Sequence, residues 1–234
     1  MGARLSGAAL VHSTAAACVI VGIDLSKRDI VLWVPGTSQH GVPDKLKDMV
    51  AKLMPDSTIV VVEYAATTRF ASSRAEGMRN LVSILSVIKK RMRKGQRLFV
   101  AGESQGAWVV SDILANHKYY EMISGAVLLG HPGIAANHFK DDPKVLEINH
   151  TDDIVTMADQ GDMELAHNVE RFLHGDLLTA PYFVKYAISH PHIAAWLALL
   201  GISRIPYIGN LVPMFHDYSN DYLLATLWLA DDRG

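Results

Sequence analysis

The sequence predicts an α/β fold on a mostly parallel sheet, and three observations predict it. Short β-branched apolar runs alternate with longer stretches of helical spacing, the order in which parallel strands and crossover helices follow one another. Two of the runs, Ile59-Val-Val-Val62 and Ala126-Val-Leu-Leu129, are apolar at every position, as strands buried on both faces are. The third observation is Gly102-Glu-Ser-Gln-Gly106, set between the apolar run 97–101 and the breaker-free helical pattern that follows it.

The elements follow in order. Arg4 and the apolar residues 5–11 faintly resemble a signal peptide, but the stretch is short and is broken by His12, Ser13 and Thr14. An early strand is expected instead at 18–23. Further strands are expected at 30–34, 58–63, 98–101, 126–129 and 145–148, with helices at 45–53, 73–93 and 105–117 between them. From Met163 onward strands cease. A helical stretch at 164–173 leads into a loop-rich apolar segment, 177–215, and a last helix is expected at 218–229. There are no repeats, no low-complexity runs and no linker, so residues 1–234 form one domain, with 163–215 as an insertion within it.

Composition narrows the function classes. A formal net charge of −2 over 234 residues gives no basic surface for nucleic acid. The single cysteine, Cys18, excludes an intramolecular disulfide. The longest apolar candidate, 193–202, is about half the roughly 20 residues that a membrane span needs. No H-E-x-x-H, C-x-x-C or carboxylate cluster suggests a metal, so no cofactor is expected.

A G-x-S-x-G pentapeptide between strand and helix is a nucleophile elbow. The tight turn strains the serine, and glycines on either side let strand and helix approach. Ser104 is therefore the candidate nucleophile, standing at the carboxyl edge of the sheet. A serine hydroxyl needs a general base, and the base an orienting acid; in hydrolases of this fold the chain order is Ser, acid, His. The loop after 145–148 holds Asp152 and Asp153. Asp153 is favoured because Ile154-Val155 would anchor the loop beside it, with Asp152 as the alternative. His216, just ahead of the last helix, is the candidate base. His131 and His150 sit at strand ends but precede the acid, and His190 and His192 belong to a turn. The oxyanion donors expected are the Gln105 N–H and an N–H of the Gly36-Thr37-Ser38 loop, from Thr37 or Ser38.

Together, the Pro35-Gly-Thr-Ser38 loop, the elbow, Gly130-His-Pro132 and Asp153-Ile-Val155 resemble cutinase-type serine esterases. Tyr64-Ala-Ala66, with Ser73 and Glu76-Gly77 downstream, is similar to a pattern in their mycobacterial relatives. With no disulfide and a long gap between acid and histidine, the chain most resembles the phage lysin B esterases. The resemblance implies an α/β-hydrolase-type three-layer sandwich with a helical insertion between acid and histidine. It also implies a Ser104–Asp153–His216 esterase acting on a lipid ester of the cell envelope, a mycolyl ester of arabinogalactan. It further implies synthesis in a host cytoplasm and action at the envelope after release. Trp196 and Leu199, in the insertion, are expected to line the acyl groove. Two positions depart from the family pattern: Glu103 replaces an aromatic residue before the serine, and Pro35 replaces an arginine. An acyltransferase or thioesterase using the same triad, and a catalytically inactive binding module, are the rival readings.

Overall fold

The computed structural model describes residues 9–14, 17–20, 24–150, 153, 155–156, 162–189 and 217–231. Seven strands form one sheet: β1 (Ala9–Thr14), β2 (Ala17–Ile20), β3 (Asp29–Val34), β4 (Ser57–Val61), β5 (Arg97–Glu103), β6 (Gly125–Leu129) and β7 (Val145–Ile148). Their order across the sheet is β2-β1-β4-β3-β5-β6-β7. All neighbours run parallel except β1 and β2, which make an antiparallel hairpin at one edge. The helices are α1 (Asp44–Leu53), α2 (Phe70–Arg91), α3 (Gln105–Leu114), α4 (His117–Tyr120), α5 (Met163–Leu173), α6 (Ala180–Ser189) and α7 (Tyr222–Ala230).

The period-two alternation of strand side chains divides the core into two layers. Ile30, Leu32, Val34, Leu98, Val100, Ala126 and Leu128 meet α2 and α3 through Leu81, Ile84, Leu85, Ile88, Val109 and Ile113. The alternate residues Val31, Trp33, Phe99, Ala101, Val127 and Leu129 meet α1 and α7 through Leu46, Val50, Tyr222, Ala225 and Leu229. Both faces of the strands are thus buried, which is why the runs read as continuously apolar. The result is the three-layer α/β-hydrolase-type arrangement.

Several elements differ from the sequence expectation. Residues 9–14, which overlap the faintly leader-like stretch 5–11 and the residues that break it, form β1, and Ala9 and Leu10 pair with Val60 and Val61 of β4; β2 is Ala17–Ile20, and residues 21–23 of the expected strand lie outside the described residues. Helix α3 stops at Leu114, and the Asn116 side chain accepts from the Lys118 N–H at 3.1 Å to start α4. Helix α2 begins earlier than expected, at Phe70. Within the segment read as loop-rich, 180–189 is the helix α6. Helices α5 and α6 bury Leu165, Val169, Phe183 and Tyr186 against each other and against Phe70 and Ile134. Phe70 and Ile134 both follow carboxyl ends of strands, so the insertion helices pack on the edge of the sheet that carries the elbow.

Candidate active site

Ser104 joins β5 directly to α3, with φ 54° and ψ −118°. That left-handed φ is strained in a residue with a Cβ, by about 1–3 kcal/mol, so the surroundings must hold it. Three features do. The Ser104 N–H donates to the Leu129 carbonyl at 2.8 Å, tying the turn to β6. A Cβ on Gly102 would stand 2.6 Å from the Gly106 carbonyl atoms, and one on Gly106 would run into the Val34 carbonyl oxygen. Only glycine fits either position, and the strand-to-helix reversal is as tight as the pentapeptide predicts.

The loop after β3 lies against this turn: a Cβ on Gly36 would meet Ser104 Cβ at 3.2 Å and the Glu103 carbonyl oxygen at 2.9 Å. Its N–H groups are nearly all committed. Gly36 N–H donates to Gln39 Oε1 at 2.7 Å, and Ser38 N–H to the Ala66 carbonyl at 2.7 Å. Gln39 N–H donates to the Gly36 carbonyl at 3.0 Å. Thr37 N–H has no hydrogen-bond partner among the described residues, and Gln105 N–H, in the first turn of α3, has no intrahelical acceptor. Of the two loop donors the sequence left open, Ser38 is spent and Thr37 is available.

The motif residues 64–77 brace this loop. Tyr64 hydroxyl donates to the Pro35 carbonyl at 2.6 Å and so ties the start of this loop to the segment after β4. Thr67 N–H donates to Ser73 Oγ at 3.0 Å, Ser73 Oγ–H to Gln105 Oε1 at 3.0 Å, and Gln105 Nε2 back to the Thr67 carbonyl at 3.0 Å. This closed ring locks the buried Gln105 side chain and therefore the peptide that follows Ser104.

Glu103 points away from the turn rather than into the site. Its carboxylate is buried and accepts from Gln39 Nε2 at 2.7 Å and from the Tyr222 hydroxyl at 2.7 Å. One residue thereby connects the elbow to the oxyanion loop and to α7. Burial and the adjacent Glu103 push the Tyr222 hydroxyl well above the ordinary tyrosine range, so it stays a donor.

Asp153 lies in the loop after β7 and is fully buried. Oδ1 accepts from the Val155 N–H at 3.0 Å, and Oδ2 accepts from the Tyr218 hydroxyl at 2.6 Å. Tyr218 in turn accepts from the His150 N–H at 3.0 Å and stacks on the His150 ring, with centroids 4.2 Å apart. Burial, then Asp153, raises the Tyr218 hydroxyl far above its usual range and keeps it protonated.

Ser104 and Gln105 share one turn, the loop that holds Thr37 lies against that turn at Gly36, and Asp153 lies in the loop after β7. Asp152, His216, Trp196 and Leu199 lie outside the described residues. The other strand-end histidines are engaged elsewhere: His150 Nε2 sits 2.8 Å from Asp221 Oδ2, and the buried His131 faces Glu147. Sequence reasoning missed Tyr218, Gln39 and Tyr222. Tyr218 was taken only as a helix start, and Gln39 and Tyr222 act through contacts 64 and 119 residues away in the chain, for which no local pattern exists. It also missed that His131, His138 and Glu147 converge, because their spacing matches no metal motif.

The site thus sits in a three-layer α/β domain, at a tight strand-to-helix turn that carries Ser104. No family model matches the chain, and no curated protein matches it. Among solved structures it is similar to a cutinase-like protein from Cryptococcus sp., at 14% identity over 62% of this chain and 93% of that one, with a TM-score of 0.44. It is similar to Trichoderma reesei cutinase at 23% identity over 62% and 74%, TM-score 0.48. It is also similar to lysin B from Mycobacteriophage D29, at 18% identity over 59% and 60%, TM-score 0.41.

Proposed function

We propose that this chain is a serine esterase, with Ser104 as nucleophile, His216 as general base and Asp153 as the acid that orients it. The observation that carries the reading is Ser104 itself, a non-glycine residue held at φ 54° between two positions that admit only glycine, with the Gly36 loop packed against it. Such backbone strain clusters at functional sites, and the other two described non-glycine residues with positive φ, Ser38 and Ala66, lie in the segments that bond to each other beside this turn.

In the proposed reaction His216 takes the Ser104 proton as Oγ attacks the ester carbonyl carbon. The oxygen of the tetrahedral intermediate accepts from Gln105 and Thr37 N–H, which stabilise charge only once it has developed. The intermediate collapses, the alcohol leaves with the proton from His216, and water repeats the sequence on the acyl-enzyme. Tyr218, which follows His216 by two residues in the sequence, bonds to Asp153 directly.

The substrate proposed is a long-chain lipid ester, of the mycolyl type met in a cell envelope, which is where the protein would act. Supporting this are the exposed apolar residues Leu178, Val184 and Ile188 on the insertion, 85%, 63% and 79% accessible. Apolar wall is what holds an acyl chain. No helix among the described residues is long and apolar enough to cross a membrane.

The test is turnover of a p-nitrophenyl ester series by wild type and Ser104→Ala, with products analysed in water and with added trehalose. Hydrolysis lost in the variant, rising with acyl length in wild type, and giving free acid in both media, is expected. An acyl-trehalose product would make the chain a transferase. Activity surviving in Ser104→Ala would refute the nucleophile.

A further inference from the structure

Away from the elbow, the loop after β6 and the edge strand β7 bring together His131, His138 and Glu147. Their side chains are 0%, 16% and 4% accessible. His131 Nδ1 lies 3.2 Å and His138 Nδ1 2.8 Å from the same oxygen, Glu147 Oε1. The three donor atoms all fall within 4.8 Å of one another. Asn149 Nδ2 donates to that oxygen at 2.9 Å, and Phe139 N–H donates to Oε2 at 3.2 Å, so the carboxylate is fixed in orientation.

The proton arithmetic of this cluster does not close with neutral rings. His138 Nε2 sits 3.3 Å from the Gly133 carbonyl. A carbonyl only accepts, so this contact is a hydrogen bond when Nε2 carries the proton. The Nδ1 lone pair of a neutral His138 then faces a carboxylate oxygen, which is repulsive. His131 has the complementary problem. A proton on Nδ1 would satisfy Glu147 but leave Nε2 as a bare acceptor, and Nε2 is buried with no partner among the described residues. A proton on Nε2 instead leaves both Nδ1 lone pairs and the carboxylate converging on one point. A cation at that point makes all three contacts attractive, and the proton it places on His131 Nε2 is then the one donor of the cluster without an acceptor among the described residues. The bond from His138 Nε2 to a backbone carbonyl is then the outer partner that a metal-ligating imidazole ordinarily has.

We infer that His131 Nδ1, His138 Nδ1 and Glu147 Oε1 form a binding site for a divalent transition metal, zinc in the first place. Two imidazoles and a carboxylate are borderline donors of the kind zinc takes, with water completing the set on the more open His138 side. Tetrahedral zinc ligands stand about 3.3 Å apart, so the His138–Glu147 contact opens by about half an ångström on binding. The site is structural. Strand β7 has four residues and a single sheet neighbour, and it leads straight into the Asp153 loop. A metal would clamp it to the loop bearing Ile134, on which the insertion helices pack.

The test uses the full, tag-free chain, dialysed against EDTA and titrated with Co2+ as a spectroscopic stand-in. The expected result is a visible ligand-field band that saturates at one equivalent, is displaced by Zn2+, and accompanies a Zn2+-dependent rise in Tm. His138→Gln should weaken Co2+ binding by more than about 100-fold, beyond what loss of an outer partner does, whereas His174→Gln, at an exposed helix end, should leave it unchanged. Glu147→Gln should abolish it; if that variant does not fold, His138→Gln decides alone. Folded wild type without a band or a Tm shift would overturn the site, and a doubly protonated His138 would then account for the contact. A band that survives in His138→Gln would overturn it equally.

Discussion

The elbow and the insertion are neighbours built by opposite means. Around Ser104 the backbone is crowded until no side-chain atom could be added at Gly102 or Gly106, and nearly every donor has an assigned acceptor. In α5 and α6 a small apolar cluster holds the helices together, while Leu178, Val184 and Ile188 remain largely exposed. The contrast separates two demands. Charge that develops for an instant must meet dipoles already in place, so chemistry sits in the crowded region. An acyl chain needs only apolar area, which contributes about 0.8 kcal/mol per methylene buried, and a loosely covered surface supplies that.

The largest effects should come from the crowded side. Ser104→Ala is expected to lower turnover by about 10⁴–10⁶-fold with folding intact. Ser104→Gly should lose activity equally yet raise stability by about 1 kcal/mol, because glycine relieves the left-handed strain; chemical denaturation beside turnover checks both. Next, Asp153→Asn should lower kcat by about 10³–10⁴-fold, and Asp152→Asn by no more than a few-fold. The reverse order would move the acid one residue and leave the elbow account standing.

Positioning residues should matter less. Glu103→Gln leaves either Gln39 Nε2 or the Tyr222 hydroxyl facing an amide N–H, and a buried unpaired donor costs about 1–3 kcal/mol. Turnover should drop by about tenfold with KM little changed, since Gln39 also holds Gly36. Tyr218→Phe should act similarly through Asp153.

The insertion should show the smallest and most selective effect. Val184→Ser with Ile188→Ser is expected to leave acetate ester turnover and stability within about 0.5 kcal/mol of wild type. Long-chain ester turnover should fall about tenfold, if each chain loses one or two methylenes' worth of contact. Uniform loss across chain lengths with a lowered Tm would mean that these side chains serve packing and not substrate.

How much of this could be read from the chain follows the same division. The central strands were legible because both faces are buried, so 59–62 and 126–129 carry no polar interruption. The elbow was legible because its constraint is local, two glycines around a serine. Strand β1 was not: residues 9–14 include His12, Ser13 and Thr14, and their strand state comes from pairing with β4 and β2. Tyr218's bond to Asp153 spans 65 residues, and the Glu103 bridge joins three segments, so neither leaves a pattern within any window of sequence. Helix α6 was hidden by Pro181, which belongs naturally in a first helical turn but reads as a breaker inside a run.

The measurement closest to the central claim is covalent labelling of the folded protein by a fluorophosphonate, with the modified peptide mapped by mass spectrometry. A phosphonylated serine forms only where a general base removes its proton and donors hold the phosphonyl oxygen. The account predicts one modified residue, Ser104, with labelling abolished in Ser104→Ala and His216→Ala and strongly slowed in Asp153→Asn. Folded wild-type protein that stays unlabelled, or that is labelled at another serine, would contradict it.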